Sequence, residues 1–419
     1  MAAPRPWDAE SLAADAVDWL LTQARTTGTG LVWRPATDVP EVDPTLYHGC
    51  AGIVLALLEA HRHFADDRCA DAALRGALAI AAEVEHERHW SLYSGLTGMA
   101  VALWAVHTQL GDQTCAAAAR RSLERVRGAF DGRRWGPFFE LLAGNAGIAL
   151  GALHLGDREL ALLATIPYLH TADPTPGGVN WAVRPGPARS HHVAHGTLGI
   201  VHALVSVADA TDRADLLDLA LLGAADVLGR DEAGPDGFLV PHFDPPHRPE
   251  LIERYSYGWC TGPAGDAQTF RLLAGTTGDP GWSRLVDRCW HTVTHCGLPE
   301  RLRPGFWDNS GRCCGTAGVL ALACDRGVEH PDPAERERAL EFAGRLVDDL
   351  GDRATRGRSG ARWSNHEHRV TPSALDPRTG WAMGNAGIIR ELIRYARAER
   401  GLPPGYAVPW PDHPPANAA

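Results

Sequence analysis

Residues 315–323 read Gly-Thr-Ala-Gly-Val-Leu-Ala-Leu-Ala. Two glycines three apart open a segment in which Val319, Leu320, Leu322 and Ala323 point in nearly every direction around a helix axis. A helix that is apolar all round is buried all round. The arrangement recurs at Gly49–Gly52, Gly95–Gly98, Gly144–Gly147, Gly196–Gly199, Gly262–Gly265 and Gly384–Gly387. Successive copies are separated by 46, 49, 52, 66, 53 and 69 residues. One Gly-x-x-Gly means nothing in a chain with 45 glycines, but seven so spaced are the signature of a repeat architecture.

Between the copies lie amphipathic stretches, at 69–86, 113–130, 211–229 and 335–350, with charge on one face. Each unit therefore pairs a buried helix with a half-exposed one. Seven pairs predict an all-α fold, an α/α toroid of seven inner and seven outer helices that occupies residues 1–401 as one domain. Inner helix starts then gather at one end, where free N–H groups and positive dipole ends face a common cavity. The long intervals 171–194, 231–257 and 351–380 are rich in Pro, Gly and charge and are predicted to form its rim. The tail at 402–419 is too rich in proline to be helical, and a surface path or disorder is expected.

Composition narrows the function classes. The net charge is −11 and no Lys/Arg run forms a nucleic-acid footprint, so no nucleic-acid partner is expected. No stretch approaches 18 apolar residues, so no membrane insertion is expected. Asp8, Glu10, Asp15 and Asp18 interrupt the N-terminal stretch where a signal peptide would be apolar, which predicts a cytoplasmic protein with reduced thiols. Nine cysteines are then no disulfide framework.

Three of the nine stand apart. Cys260 precedes the fifth glycine pair by two residues, and Cys313-Cys314 directly precedes the sixth. Neighbouring units of a toroid set equivalent positions side by side, so the three should converge across 53 residues of sequence. Three thiolates on zinc leave one tetrahedral position open, as catalytic sites do. A disulfide between Cys313 and Cys314 would be strained and disfavoured in a reducing compartment. Cys69, Cys115, Cys289, Cys296 and Cys324 sit in helix-like runs and are expected to be packing residues. His366-Glu367-His368 lies in a polar stretch without a cysteine partner and reads as a solvated loop. His191 and His192 are placed on the cavity rim, and His48, Tyr93 and Trp381 at other repeat junctions.

Trp259-Cys260-Thr261-Gly262-Pro263-Ala264-Gly265 and Cys313-Cys314-Gly315-Thr316-Ala317-Gly318 resemble the zinc motifs of the lanthionine synthetase C-like proteins, the lanthipeptide cyclases. The resemblance extends through all seven glycine repeats. It implies an α/α toroid and a Zn2+ cofactor. It also implies Michael-type addition of a peptide cysteine to dehydroalanine or dehydrobutyrine, giving a (methyl)lanthionine thioether. Ala194-His195-Gly196 matches the family's histidine segment, which makes His195 a catalytic candidate. Glu140, four residues before Gly144, stands where the family has aspartate, and could orient His195 or take the thiol proton. Thr261 replaces the family's tyrosine or histidine; with Trp259 and Arg254 it is placed among substrate contacts.

The Cys-Cys-Gly variant supplies three anionic ligands instead of two and a histidine, so the bound substrate sulfur should be more nucleophilic. No Walker A or kinase-like motif is present, which implies a dehydrated precursor peptide made by a separate dehydratase. Two alternatives keep the fold: glutathione addition to dehydrated residues, and a non-catalytic peptide scaffold in a modification complex. An α/α-toroid glycosidase would need paired carboxylates at the cavity, and Glu140 is the clear one.

Overall fold

The computed structural model describes residues 6–403 and 405–413. Among them are fourteen α-helices and four two-stranded antiparallel sheets. In chain order the helices are α1 (Ala9–Thr22), α2 (Cys50–Phe64), α3 (Asp67–Glu83), α4 (Leu96–Leu110) and α5 (Gln113–Gly128). Then come α6 (Asn145–His154), α7 (Arg158–Leu169), α8 (Thr197–Thr211), α9 (Ala214–Leu228) and α10 (Pro263–Thr277). The last are α11 (Pro280–His295), α12 (Thr316–Glu329), α13 (Pro333–Arg353) and α14 (Asn385–Glu399). The even-numbered helices each follow a Gly-x-x-Gly start and pack side by side, α2 to α4 and onward to α14, which packs against α2 again. That contact closes the inner ring.

The outer partners of the first six inner helices are α3, α5, α7, α9, α11 and α13. The seventh is α1, which packs on α14 from the opposite end of the chain. The N-terminal segment thus completes the last repeat, which no local pattern in residues 9–22 announces.

The two helix classes differ at their starts. Six outer helices carry an aspartate N-cap whose carboxylate accepts a first-turn N–H: Asp8, Asp66, Asp112, Asp157, Asp279 and Asp332. Inner helices have glycine at this position and no side-chain cap. The reason is close approach: a Cβ on the cap glycine Gly262 would stand 2.5 Å from Ser256 O, and the second glycine of each pair is confined as well. A Cβ on Gly265 would overlap the Trp259 carbonyl and stand 2.6 Å from Val193 Cγ1 of the preceding repeat. One on Gly147 would meet Leu92 Cβ at 2.8 Å.

At one end of the ring, a circle of backbone hydrogen bonds joins the repeats through the residue two before each first glycine. Tyr47 N donates to Tyr93 O (2.8 Å), Tyr93 N to Leu142 O (3.2 Å), and Leu142 N to Ala194 O (3.1 Å). Ala194 N donates to Cys260 O (3.2 Å), Cys260 N to Cys313 O (3.2 Å), and Cys313 N to Ala382 O (2.9 Å). Ala382 N returns to Tyr47 O (3.0 Å) and closes the circle.

Three of the four sheets lie in the long intervals, and the first precedes α2. β1 (Arg25–Thr26) pairs with β2 (Leu31–Val32), β3 (Asp173–Thr175) with β4 (Gly178–Asn180), and β7 (Thr355–Gly357) with β8 (Gly360–Arg362). Each of these hairpins leads to a buried tryptophan, Trp33, Trp181 or Trp363, whose indole N–H donates to a carbonyl at the end of an outer helix (Leu20, Tyr168, Leu350). Between β4 and β7, β5 (Arg189–Ser190) pairs with β6 (Phe243–Asp244), tying two rim intervals together.

Two expectations need correcting. Within the described part of the tail, Val408, Trp410 and Asp412 are buried, while 404 and 414–419 lie outside the described residues. The inner helices, too, are not all apolar. Asp266, Gln268 and Arg271 on α10, Asp325 on α12, and Arg390, Glu391, Arg394 and Arg397 on α14 are buried. Charge survives inside because it is paired there. Arg271 and Arg394 both meet Asp325, while Arg397 meets Glu59 at 2.6 Å.

Candidate metal centre

Cys260 and Cys313 are successive members of the backbone circle, and Cys314 follows Cys313 into the turn before α12. Their sulfurs converge: Cys260 Sγ lies 3.1 Å from Cys314 Sγ, and Cys314 Sγ 3.3 Å from Cys313 Sγ. All three fall within 4.8 Å of one another, the one such cluster of metal-binding side chains among the described residues. None is in a disulfide.

The donor set fits zinc. Sulfurs on one tetrahedral zinc are about 3.8 Å apart (Zn–S about 2.3 Å), a small side-chain rotation from the spacing seen. Charge points the same way. Hydrogen bonds from Cys313 and Cys314 hold the Cys260 thiol well below the ordinary range. The Cys260 sulfur pushes the Cys314 thiol up, and burial pushes Cys313 up. Three thiols this close share protons, because each thiolate opposes the ionisation of its neighbours. A divalent cation replaces those protons and lets three thiolates coexist.

Tyr47 was not singled out by its sequence. Its hydroxyl donates to Cys313 Sγ at 3.0 Å. Burial, with Cys313 next, raises its pKa far above that of a free phenol, so it stays a donor. Such a bond draws charge from one ligand sulfur. A signal existed: Tyr47 is the first-repeat equivalent of Cys260 and Cys313.

His195 and Glu140 meet beside the cluster, with His195 Nδ1 3.6 Å from Glu140 Oε2. Glu140 is buried and accepts from Leu142 N (2.7 Å) and Ala143 N (3.1 Å), so its carboxylate is fixed. Burial alone would lower the His195 pKa; Glu140, and then Cys260, outweigh it, and the pKa is raised. Glu140 thus favours the charged form of a histidine that stands beside the sulfurs.

The other candidates spread out. Thr261 Oγ1 is 3.6 Å from Cys260 Sγ. Trp259 is buried, 3% exposed, with Tyr93, Trp381 and the Arg312 guanidinium around its ring, so it forms a floor and offers no open face. Arg254 is on the rim, paired with Glu232 at 2.5 Å and stacked on Tyr255. It lines a cleft of about 420 Å³ with His242, Tyr257, Phe306, Asp308 and Cys314, so this cleft opens onto the third sulfur. A larger groove of about 730 Å³ between α11 and α13 on the outer wall contains no thiol.

His191 and His192 are buried behind the rim instead of lining it. His192 Nδ1 meets Asp266 at 2.7 Å. Burial pushes His191 down to about 3 and His242 down to about 4. His366-Glu367-His368 is a partly exposed loop near Asp308.

The whole-chain likeness to solved structures supports the fold. Nisin cyclase superposes with a TM-score of 0.62 at 15% identity, covering 95% of each chain. The alpha-1,6-mannanase of Salegentibacter sp. HEL1_6 gives 0.52 at 11% identity over 94% of this chain and all of that one (100%). An unsaturated glucuronyl hydrolase specific for heparin gives 0.52 at 13%, covering 94% and 98%. At such identities the toroid is shared and chemistry is not thereby assigned. No curated protein matches the sequence. The lanthionine synthetase C-like protein family does match, over residues 40–227 and 248–333, a span that contains all three clustered cysteines, His195 and Glu140. On that match, the chain belongs to the lanthionine synthetase C-like family.

Proposed function

We propose that this protein is a zinc-dependent lanthionine cyclase acting on a dehydrated peptide supplied by a separate dehydratase. The observation that carries the reading is the convergence of three sulfurs, at 3.1 and 3.3 Å, beside the His195–Glu140 pair. Cys260, Cys313 and Cys314 would hold the metal. When bound there, zinc supplies the Lewis acidity that brings a substrate thiol to its thiolate near neutral pH. Cys314, which faces the cleft, marks where that thiol enters. The sulfur of the substrate cysteine bonds to Cβ of the dehydro residue, the alkene opens, and Cα takes a proton. His195 holds the proton for that step, with Nδ1 turned to Glu140 and the other ring nitrogen left to deliver it. The proton lost by the thiol balances the one gained at Cα.

Glycoside chemistry suits the site less well. Glu140 commits both oxygens to backbone N–H groups and pairs with a histidine, which makes it an anchor more than a general acid. The test is incubation of the zinc-loaded protein with a dehydrated, Cys-containing peptide, with and without glutathione. Cyclisation leaves the mass unchanged and removes a thiol from alkylation; glutathione addition raises the mass; a scaffold binds and changes neither. A peptide thiol that stays fully alkylatable overturns the cyclase reading.

Glu140→Gln tests the ion pair. Glu140 raises the His195 pKa, and the protonated form, present below that pKa, is the active one. Loss of the carboxylate lowers it, so the alkaline limb of the rate profile should move to lower pH with zinc content unchanged. An unmoved limb removes Glu140 from proton handling.

A further inference from the structure

After α14 the chain turns back into the bore of the inner ring. The bore wall is built to receive it. Glu59, 1% exposed on α2, accepts from the backbone N–H groups of Ala407 and Val408, each at 3.0 Å. Arg390 donates to Val408 O at 2.6 Å and Arg397 to Gly405 O at 3.1 Å. Further along, Trp410 Nε1 donates to the Tyr93 hydroxyl (2.9 Å), which donates to Asp412 (2.5 Å). His413 reaches Asp325 at 3.3 Å. The segment runs along the α14 and α2 wall; a cavity of about 640 Å³ remains beside it toward α6 and α8. This explains why α14, which begins like any inner helix, is studded with Arg and Glu.

Trp410 brings the segment up to the backbone circle that carries Cys313. Trp410 stacks on Trp381, with centroids 4.6 Å apart and planes at 16°. Trp381 precedes Ala382, whose carbonyl receives Cys313 N and whose N–H holds Tyr47, the donor to Cys313 Sγ. On the other side, Glu391 accepts both from the Tyr406 hydroxyl (2.6 Å) and from Arg312 Nε (2.7 Å), and Arg312 adjoins Cys313. Both flanks of the Cys313 turn therefore rest on the tail.

We propose that the C-terminal segment Gly405–His413 is an internal brace for the Cys313 turn, with Trp410 and Tyr406 as positioning residues. Coordination demands angular accuracy, and groups that orient ligands commonly change metal affinity by roughly tenfold to a hundredfold. The zinc readout below rests on the metal reading; the alkylation readout does not.

In the full-length protein, Trp410→Ala should weaken zinc binding roughly ten- to a hundredfold, measured well below its melting temperature with helix content unchanged. Trp410→Phe, which keeps the stack on Trp381, should recover most of the loss. Tyr406→Phe, a one-atom deletion that leaves folding intact, should weaken zinc binding in the same direction. In the metal-free proteins, Cys313 should be alkylated by iodoacetamide faster in Trp410→Ala than in wild type. Wild-type zinc affinity in both Trp410→Ala and Tyr406→Phe overturns the brace. If the wild type takes up no zinc, the metal reading fails, and unchanged Cys313 alkylation in both variants overturns the brace separately.

Discussion

Cys260→Ala is expected to lose its zinc, falling from about one equivalent per chain to a small fraction after desalting, and its turnover with it. Apparent binding free energies of structural zinc in small domains are about 10–16 kcal/mol over four ligands. One ligand is then worth on the order of 3 kcal/mol, roughly a hundredfold in Kd. Here the loss is compounded, because Cys260 pairs with Cys314 at 3.1 Å and is the thiol whose pKa is lowered. The control is Cys289→Ala. Cys289 is fully buried, burial raises its thiol pKa well above the ordinary range, and it lies outside the cluster. It should cost some stability through lost packing and leave zinc untouched. Metal analysis of the two proteins side by side decides the matter, and full zinc in Cys260→Ala would sink the site.

The second large effect is expected at His195. His195→Asn should keep its zinc and lower kcat by roughly a hundred- to ten-thousandfold, the range general acid catalysis supplies. Asparagine retains a hydrogen-bonding side chain and cannot carry the proton. The imidazole is well placed for that duty, because Glu140 is fixed by two backbone N–H groups and raises the histidine pKa from one side. Since the protonated form is the useful one, wild-type rate should fall as pH rises through that pKa. The variant should be slow and lack this limb. A variant that cyclises at the wild-type rate takes His195 out of the reaction.

The glycine repeat was the most legible part of the fold, because its cause is local. A Cβ on each second glycine would meet the carbonyl of its own turn, and on six of the seven it would also stand within 3.0 Å of a neighbouring repeat, so a Cβ is excluded at one position of every unit. Four of the seven outer helices, over 69–86, 113–130, 211–229 and 335–350, were legible through their one-sided charge. The hairpins were not: two- and three-residue strands lack the length for an alternating pattern. Nor did the proline-rich tail announce its burial, because the partners that bury it, Glu59, Arg390 and Glu391, are remote in sequence or read as ordinary helix charge.

For the site, residue type and repeat position carried the reading of Cys260, Cys313 and Cys314, and the structure brings their sulfurs together. Tyr47 stayed hidden because, although it occupies the repeat position of Cys260 and Cys313, a tyrosine there carries no metal-ligand signature. Trp259 turned out to be floor, since its ring packs on Tyr93 and Trp381, and Trp410 of the tail stacks on Trp381 in turn.

By itself the sequence determined the repeat, its number, the inner and outer helix classes, and the cysteines that occupy equivalent turns. These follow from periodicity and excluded volume within a single unit. Only the tertiary structure decided how the ring closes, with α1 lent from the far terminus to α14 and seven backbone hydrogen bonds joined end to end. It also decided what lies beneath the sulfurs. Closure and filling are properties of the whole circle: each depends on groups hundreds of residues apart meeting at an axis to which no one repeat refers.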